Sequence, residues 1–109
     1  MLNICLVYSP TNENGFGHYS RIIALGDEIG RTYHGDSLFY LTTQNNEFNP
    51  MLYDAVVFDV NLENELEKNR FSQRYQLARN FGIASFLVTS SSPDMVKTVC
   101  RESLLDNGV

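Results

Sequence analysis

The chain has 109 residues, of which 43 % are hydrophobic and 19 % charged, and its 8 basic and 13 acidic side chains give a formal net charge of −5. That length fits one compact domain spanning residues 1–109, and the apolar content is too high for a disordered chain. The acidic balance argues against partners held by broad charge attraction, so neither nucleic acid nor an anionic membrane surface is expected.

The first predicted element is a strand. Ile4-Cys5-Leu6-Val7-Tyr8 is a continuous apolar run, the pattern of a strand buried on both faces. A turn-rich loop, Ser9 to Gly17, follows. Tyr19, Ile22, Ile23, Gly26, Ile29 and Tyr33 then recur at three- and four-residue spacing, which predicts a helix ended by Gly35 and Asp36. Gly26 and Gly30 each cost such a helix about 1 kcal/mol relative to Ala, so close packing against a sheet is expected there.

Leu38 to Thr42 reads as the second strand and Asn45 to Pro50 as a polar loop. Ala55-Val56-Val57-Phe58 reads as the third strand, ending at Asp59. From Asn61 to about Phe81 the pattern is helical. Glu63, Glu65 and Glu67 precede Lys68, Arg70, Arg74 and Arg79, a polarity that complements a helix dipole and predicts a solvated face. Gly82 stops that helix, and Ile83 to Thr89 gives a fourth strand. Ser92-Pro93-Asp94 opens a last helix with Met95, Val96, Val99, Cys100 and Leu104 as its apolar stripe.

Alternating strands and helices, with near-continuous apolar strands, predict an α/β fold. It is a three-layer, Rossmann-like (flavodoxin-like) domain with a mainly parallel four-stranded sheet. In such sheets ligands bind beyond the carboxyl ends of the strands, near the switch in strand order. Ser9–His18, Thr42–Glu47, Asp59–Asn61 and Thr89–Ser92 are the segments expected there. No apolar run approaches the ~20 residues of a membrane span, and no basic segment precedes the first apolar stretch, so a cytoplasmic protein is expected. Cys5 and Cys100 each sit in an apolar stretch and read as reduced, buried thiols. The tyrosines Tyr8, Tyr19, Tyr33 and Tyr40 and most phenylalanines read as core; His34 reads as surface.

The segment Asn14-Gly15-Phe16-Gly17-His18-Tyr19-Ser20-Arg21 carries the functional signal. Two glycines before a helix let the backbone approach a ligand, and the first helical N–H groups form an anion site. His18 is able to donate, accept or move a proton, and Arg21, one turn on, reaches the same side for a phosphate or carboxylate. Phe16, apolar in a polar loop, is placed to cover a ligand or touch a partner. The plainer reading is conformational, since Asn-Gly is a common turn dipeptide. The segment is not a dinucleotide fingerprint: Ser20 stands where the third glycine belongs, and no acid ends the second strand. Nor is it a P-loop, which needs Gly-Lys-Ser/Thr. No cofactor is called for.

A strand followed by G-x-G-H-x-x-R and an apolar helix containing Ala24-Leu25 resembles the N-terminal half of GT-B-type glycosyltransferases. It is especially similar to the nucleotide-sugar hydrolases of pseudaminic-acid synthesis. Tyr53-Asp54-Ala55-Val56-Val57-Phe58-Asp59 is similar to the central Asp-x-hydrophobic-Asp strand of that family. The resemblance implies a nucleotide sugar or glycan as ligand and His18 as base or orienting group. It further implies backbone approach at Gly15 and Gly17, and Arg21 in support of the loop or of a negative charge. Asn14, Phe16 and Asp59 complete the expected binding set. In that family the donor is held mostly by a second half, so catalysis is expected to need a second half or a partner.

Tyr53 to Leu62 also resembles the third strand of a receiver domain, with Asp59 as phosphoacceptor and Thr89-Ser90 as the switch hydroxyls. A receiver supplies two acids after its first strand, where Ser9 and Pro10 stand here. The plainer role for Asp59 is a helix cap or loop hydrogen-bond acceptor. The alternative function is therefore non-enzymatic: a receiver-like or Rossmann-like module acting through a protein partner or a homodimer.

Overall fold

The computed structural model describes residues 1–45 and 47–88. The expected last helix at Met95–Leu104, Cys100 and the Thr89–Ser92 loop lie outside the described residues. The described chain is α/β: β1 (Asn3–Tyr8), α1 (Thr11–Asn14), α2 (Gly17–Thr32), β2 (Ser37–Thr42), a 3-10 turn (Pro50–Leu52), β3 (Ala55–Asp59), α3 (Glu65–Asn80) and β4 (Ala84–Val88). The four strands form one parallel sheet in the order β2-β1-β3-β4.

The continuous apolar runs resolve into two faces because successive strand side chains point oppositely. Ile4, Leu6 and Val57 pack with Ile22 of α2, while Cys5, Val7, Val56 and Phe58 pack with Phe71 and Ala78 of α3. Each helix thus covers one face, as short right-handed crossovers dictate. The described residues of the β2–β3 connection carry no α-helix; they lay Phe48 and Tyr53 on the α3 face instead. Asp36 and Asp54 tie the entry of β1, accepting from the backbone N–H of Leu2 at 2.9 Å and of Asn3 at 2.7 Å.

Several local expectations need correction. α2 ends at Thr32, and Tyr33 is exposed, because its N–H caps the helix on the Ile29 carbonyl and turns the chain away. Tyr19 and Tyr40 are also partly exposed rather than core, lying at the rim where α2 crosses the outer strand. Glu67 is not on a solvated face. It is 1 % exposed and lies with Phe71, Arg74 and Ala78 on the buried side of α3. The four-residue helix α1 replaces part of the expected loop.

The two interior glycines of α2 differ. A Cβ at Gly26 would overlap the Tyr40 hydroxyl and come within 3.2 Å of Leu6 Cδ1, so the helix approaches the sheet there as expected. At Gly30 a Cβ would meet nothing within 4 Å.

Candidate functional site

In the order β2-β1-β3-β4 the chain moves outward from β1 on one side and from β3 on the other, so the switch lies between these two strands. Their carboxyl ends are in register, Tyr8 opposite Asp59. The ends are tied beyond the ladder: the Ser9 N–H donates to the Asp59 carbonyl at 3.1 Å, and the Asn61 N–H donates to Ser9 Oγ at 2.8 Å.

Asp59 shares its face with Val57, two residues earlier, and that face belongs to α2. The side chain therefore points at the first turn of α2. His18 and Arg21, three residues apart, project from the same side of that turn. The Arg21 fork grips the carboxylate, Nε donating to Oδ2 at 2.7 Å and Nη2 to Oδ1 at 2.9 Å. His18 Nδ1 lies 2.6 Å from Oδ1. An ionised carboxylate only accepts, so Nδ1 is the nitrogen that carries the hydrogen toward Asp59, and whenever the ring is neutral the lone pair lies on Nε2. Arg21 Nη2 sits 3.2 Å from His18 Nδ1 because both donate to one oxygen; two donors do not bond each other.

Burial decides the strength of these contacts. Asp59 is fully buried, His18 is 12 % exposed at its side chain, and Arg21 is 46 % exposed. A buried carboxylate needs its charge answered, and the bidentate guanidinium answers it. The bond to Asp59 in turn raises the Arg21 guanidinium above its ordinary range, so its charge is permanent. The carboxylate that Arg21 was expected to reach is thus the protein's own.

The other expected residues fall around this cluster. Gly15 has φ 75° and ψ 179°, a conformation open in practice only to glycine, and it turns the chain from α1 into α2. Phe16 precedes α2 without a side-chain cap and is 72 % exposed. Gly17 leaves room for Arg21, whose Nη1 would lie 3.2 Å from a Cβ there. No acidic residue stands in the first turn of α2. The carboxylate that meets that helix start is Asp59, from β3. Asn14 is turned the other way. Its Nδ2 donates to the Pro10 carbonyl at 3.0 Å, and its Oδ1 accepts from Asn61 Nδ2 at 3.0 Å. Among the described helices Asp59 caps none; Asn64 caps α3, accepting from the N–H groups of Leu66 and Glu67.

Beside the loop a cleft of about 250 Å³ is lined by Tyr8, Pro10, Thr11, Phe16, Tyr19 and Thr42. Tyr8 and Tyr19 meet with their rings tilted by 56°, centroids 5.3 Å apart. Among the described residues no three His, Cys, Asp or Glu side chains converge as metal ligands. No described helix is long and apolar enough to cross a membrane.

The sequence pairs His18 with Arg21 on one side of the helix and puts Asp59 in the same binding set, but it does not predict the bonds of both to Asp59. The usable signal was the period of two in β3, which puts Asp59 on the face of Val57 and hence under α2. Ser9 and Asn61 fall in the segments expected at the strand ends, but their bonds to each other and to Asn14, and the place of Asn64 beside Asn14, are not legible, because hydrogen bonds spanning about fifty residues leave no local pattern. Comparison with known proteins finds no matching family model, curated protein or solved structure.

Proposed function

We propose that this chain is a glycosyltransferase-like half domain that binds a nucleotide sugar or glycan across the carboxyl ends of β1 and β3. The observation that carries this reading is the 2.6 Å contact from His18 Nδ1 to the buried Asp59 carboxylate. It fixes the imidazole in one tautomer and orientation and frees Nε2 to take or hold a proton from a ligand hydroxyl or water. Asp59 is then an orienting group, engaged on both oxygens, rather than a phosphoacceptor. Because Arg21 is committed to Asp59, a diphosphate here would rest on the N–H groups at the start of α2. The aromatic wall of Tyr8, Phe16 and Tyr19 suits the apolar face of a sugar ring or a base. Turnover calls for a second, donor-holding half or a partner.

Isothermal titration with a panel of nucleotide sugars tests this. Saturable heat from at least one of them, lost in His18→Ala, is expected. No heat with any of them, or heat unchanged in His18→Ala, would sink it.

A second reading, contact with a protein partner or a second copy, rests on β2. That strand closes one side of the sheet, and its Phe39 and Tyr40 are partly exposed. Native mass spectrometry separates the two: a stable dimer favours contact, and a monomer favours ligand binding.

A further inference from the structure

A second polar cluster lies on the α3 face of the sheet and takes no part in the loop site. Just beyond β2 the side chain of Thr43 is buried, and its hydroxyl donates to the Glu67 carboxylate, 2.6 and 2.8 Å from its two oxygens. Arg70 Nη1 donates to the same carboxylate at 2.8 Å, so the charge of Glu67 is answered by Arg70. Arg74, one turn further along α3, has no such answer. It is only 7 % exposed, and one of its Nη groups donates to the Asn45 carbonyl. Its Nε is buried without any hydrogen-bond partner. The described ion pairs leave Arg74 with no carboxylate. Burial, and then the neighbouring Arg70, lower its guanidinium from the ordinary range.

A buried cation with an orphaned donor is costly to keep, and its persistence asks for an anion. The two arginines open on a cavity of about 420 Å³, within the range of about 300–1,000 Å³ typical of small-molecule sites. Its lining is mixed: Asn69 and Gln73 are polar, and Phe48 and Leu66 are apolar. Glu67 cancels one of the two positive charges and leaves a surplus of one. Beyond the bonds already given to Glu67 and Asn45, the two guanidiniums and two side-chain amides still offer more donors than the two oxygens of a carboxylate accept. Three phosphoryl oxygens match them better.

We propose that this cavity binds a phosphate monoester of small size, its phosphoryl group at Arg70 and Arg74 and its organic body against Phe48 and Leu66. The site stands independently of the reading given for the Gly15–Arg21 loop.

The test uses phenyl phosphate, inorganic phosphate and benzoate at matched ionic strength, followed through the arginine Nε–H resonances of the unaltered chain. Phenyl phosphate is expected to bind saturably and to move the Arg70 and Arg74 resonances. It should bind about ten-fold more tightly than either other probe. R70Q and R74M should each weaken it about ten-fold or more, whereas R31Q, which removes an equal charge from an exposed ion pair, should not. Absence of saturable binding, shifts centred on other arginines, or unchanged affinity in R74M would overturn the proposal. Equal binding of inorganic phosphate would overturn the ester, and equal binding of benzoate would overturn the phosphoryl group. Should R74M fail to fold, the resonances of the unaltered chain decide alone.

Discussion

A fully buried carboxylate folds only if its neighbours answer it, and at Asp59 both answers come from the first turn of α2. Arg21 supplies the charge and His18 supplies a single directed N–H. An Asp59→Asn exchange keeps the shape but offers the Arg21 fork one acceptor where there were two. It should destabilise the fold by about 1–3 kcal/mol in urea melts, the cost of a broken buried bond. The same exchange should release the imidazole. Ring-nitrogen NMR, taken well above the ordinary histidine range, should show His18 as the Nδ1–H tautomer in the parent chain and as a mixture in Asp59→Asn. An Nε2–H ring in the parent chain would remove the basis for assigning Nε2 a proton-accepting role. Gly15, with its φ of 75°, holds the turn that brings this helix start over the strand ends.

The helices show which parts of the fold were legible and which were not. The apolar runs of β1 and β3 announced strands covered on both faces, and the spacing of Ile22 and Gly26 announced the helix that covers one of them. Hydrophobic period carries that information directly. It does not carry the polar face of α3. Glu67, Phe71, Arg74 and Ala78 follow one another at helical spacing on the buried side, yet two of the four are charged, so the stripe reads as interrupted. Their burial depends on Thr43 and Asn45, which come from a distant loop. Within α2 the two glycines make a paired test. Gly30→Ala fills empty space on a helix and should stabilise by about 0.5–1 kcal/mol. Gly26→Ala should give no such gain, since its Cβ would displace Tyr40 and press on Leu6. Equal effects at the two positions would mean that α2 does not approach the sheet at Gly26.

At the scale of the whole molecule, the sheet centre sets the alkaline limit of stability. Burial pushes the Cys5 thiol up to about 12 from an ordinary value of 9.0, partly offset by the hydrogen bond with Tyr53. The folded state thus holds that proton more tightly than the unfolded chain does. Stability is full below about pH 9 and is lost as pH rises toward about 12, by an amount on the order of 4 kcal/mol. Tyr53, whose hydroxyl is likewise raised by burial, acts in the same direction. Urea melts at neutral pH and near about pH 10 should show this fall, and a Cys5→Ala variant should show a shallower one. A flat profile would mean that Cys5 is open to solvent. The binding reading is tested most directly by titrating the full chain with the nucleotide-sugar panel while following backbone amide shifts. The expected result is a saturable response centred on Gly15 to Arg21 and on Asp59, absent in His18→Ala. A panel that leaves those amides unmoved, or moves residues elsewhere only, would contradict a ligand site at the carboxyl ends of β1 and β3.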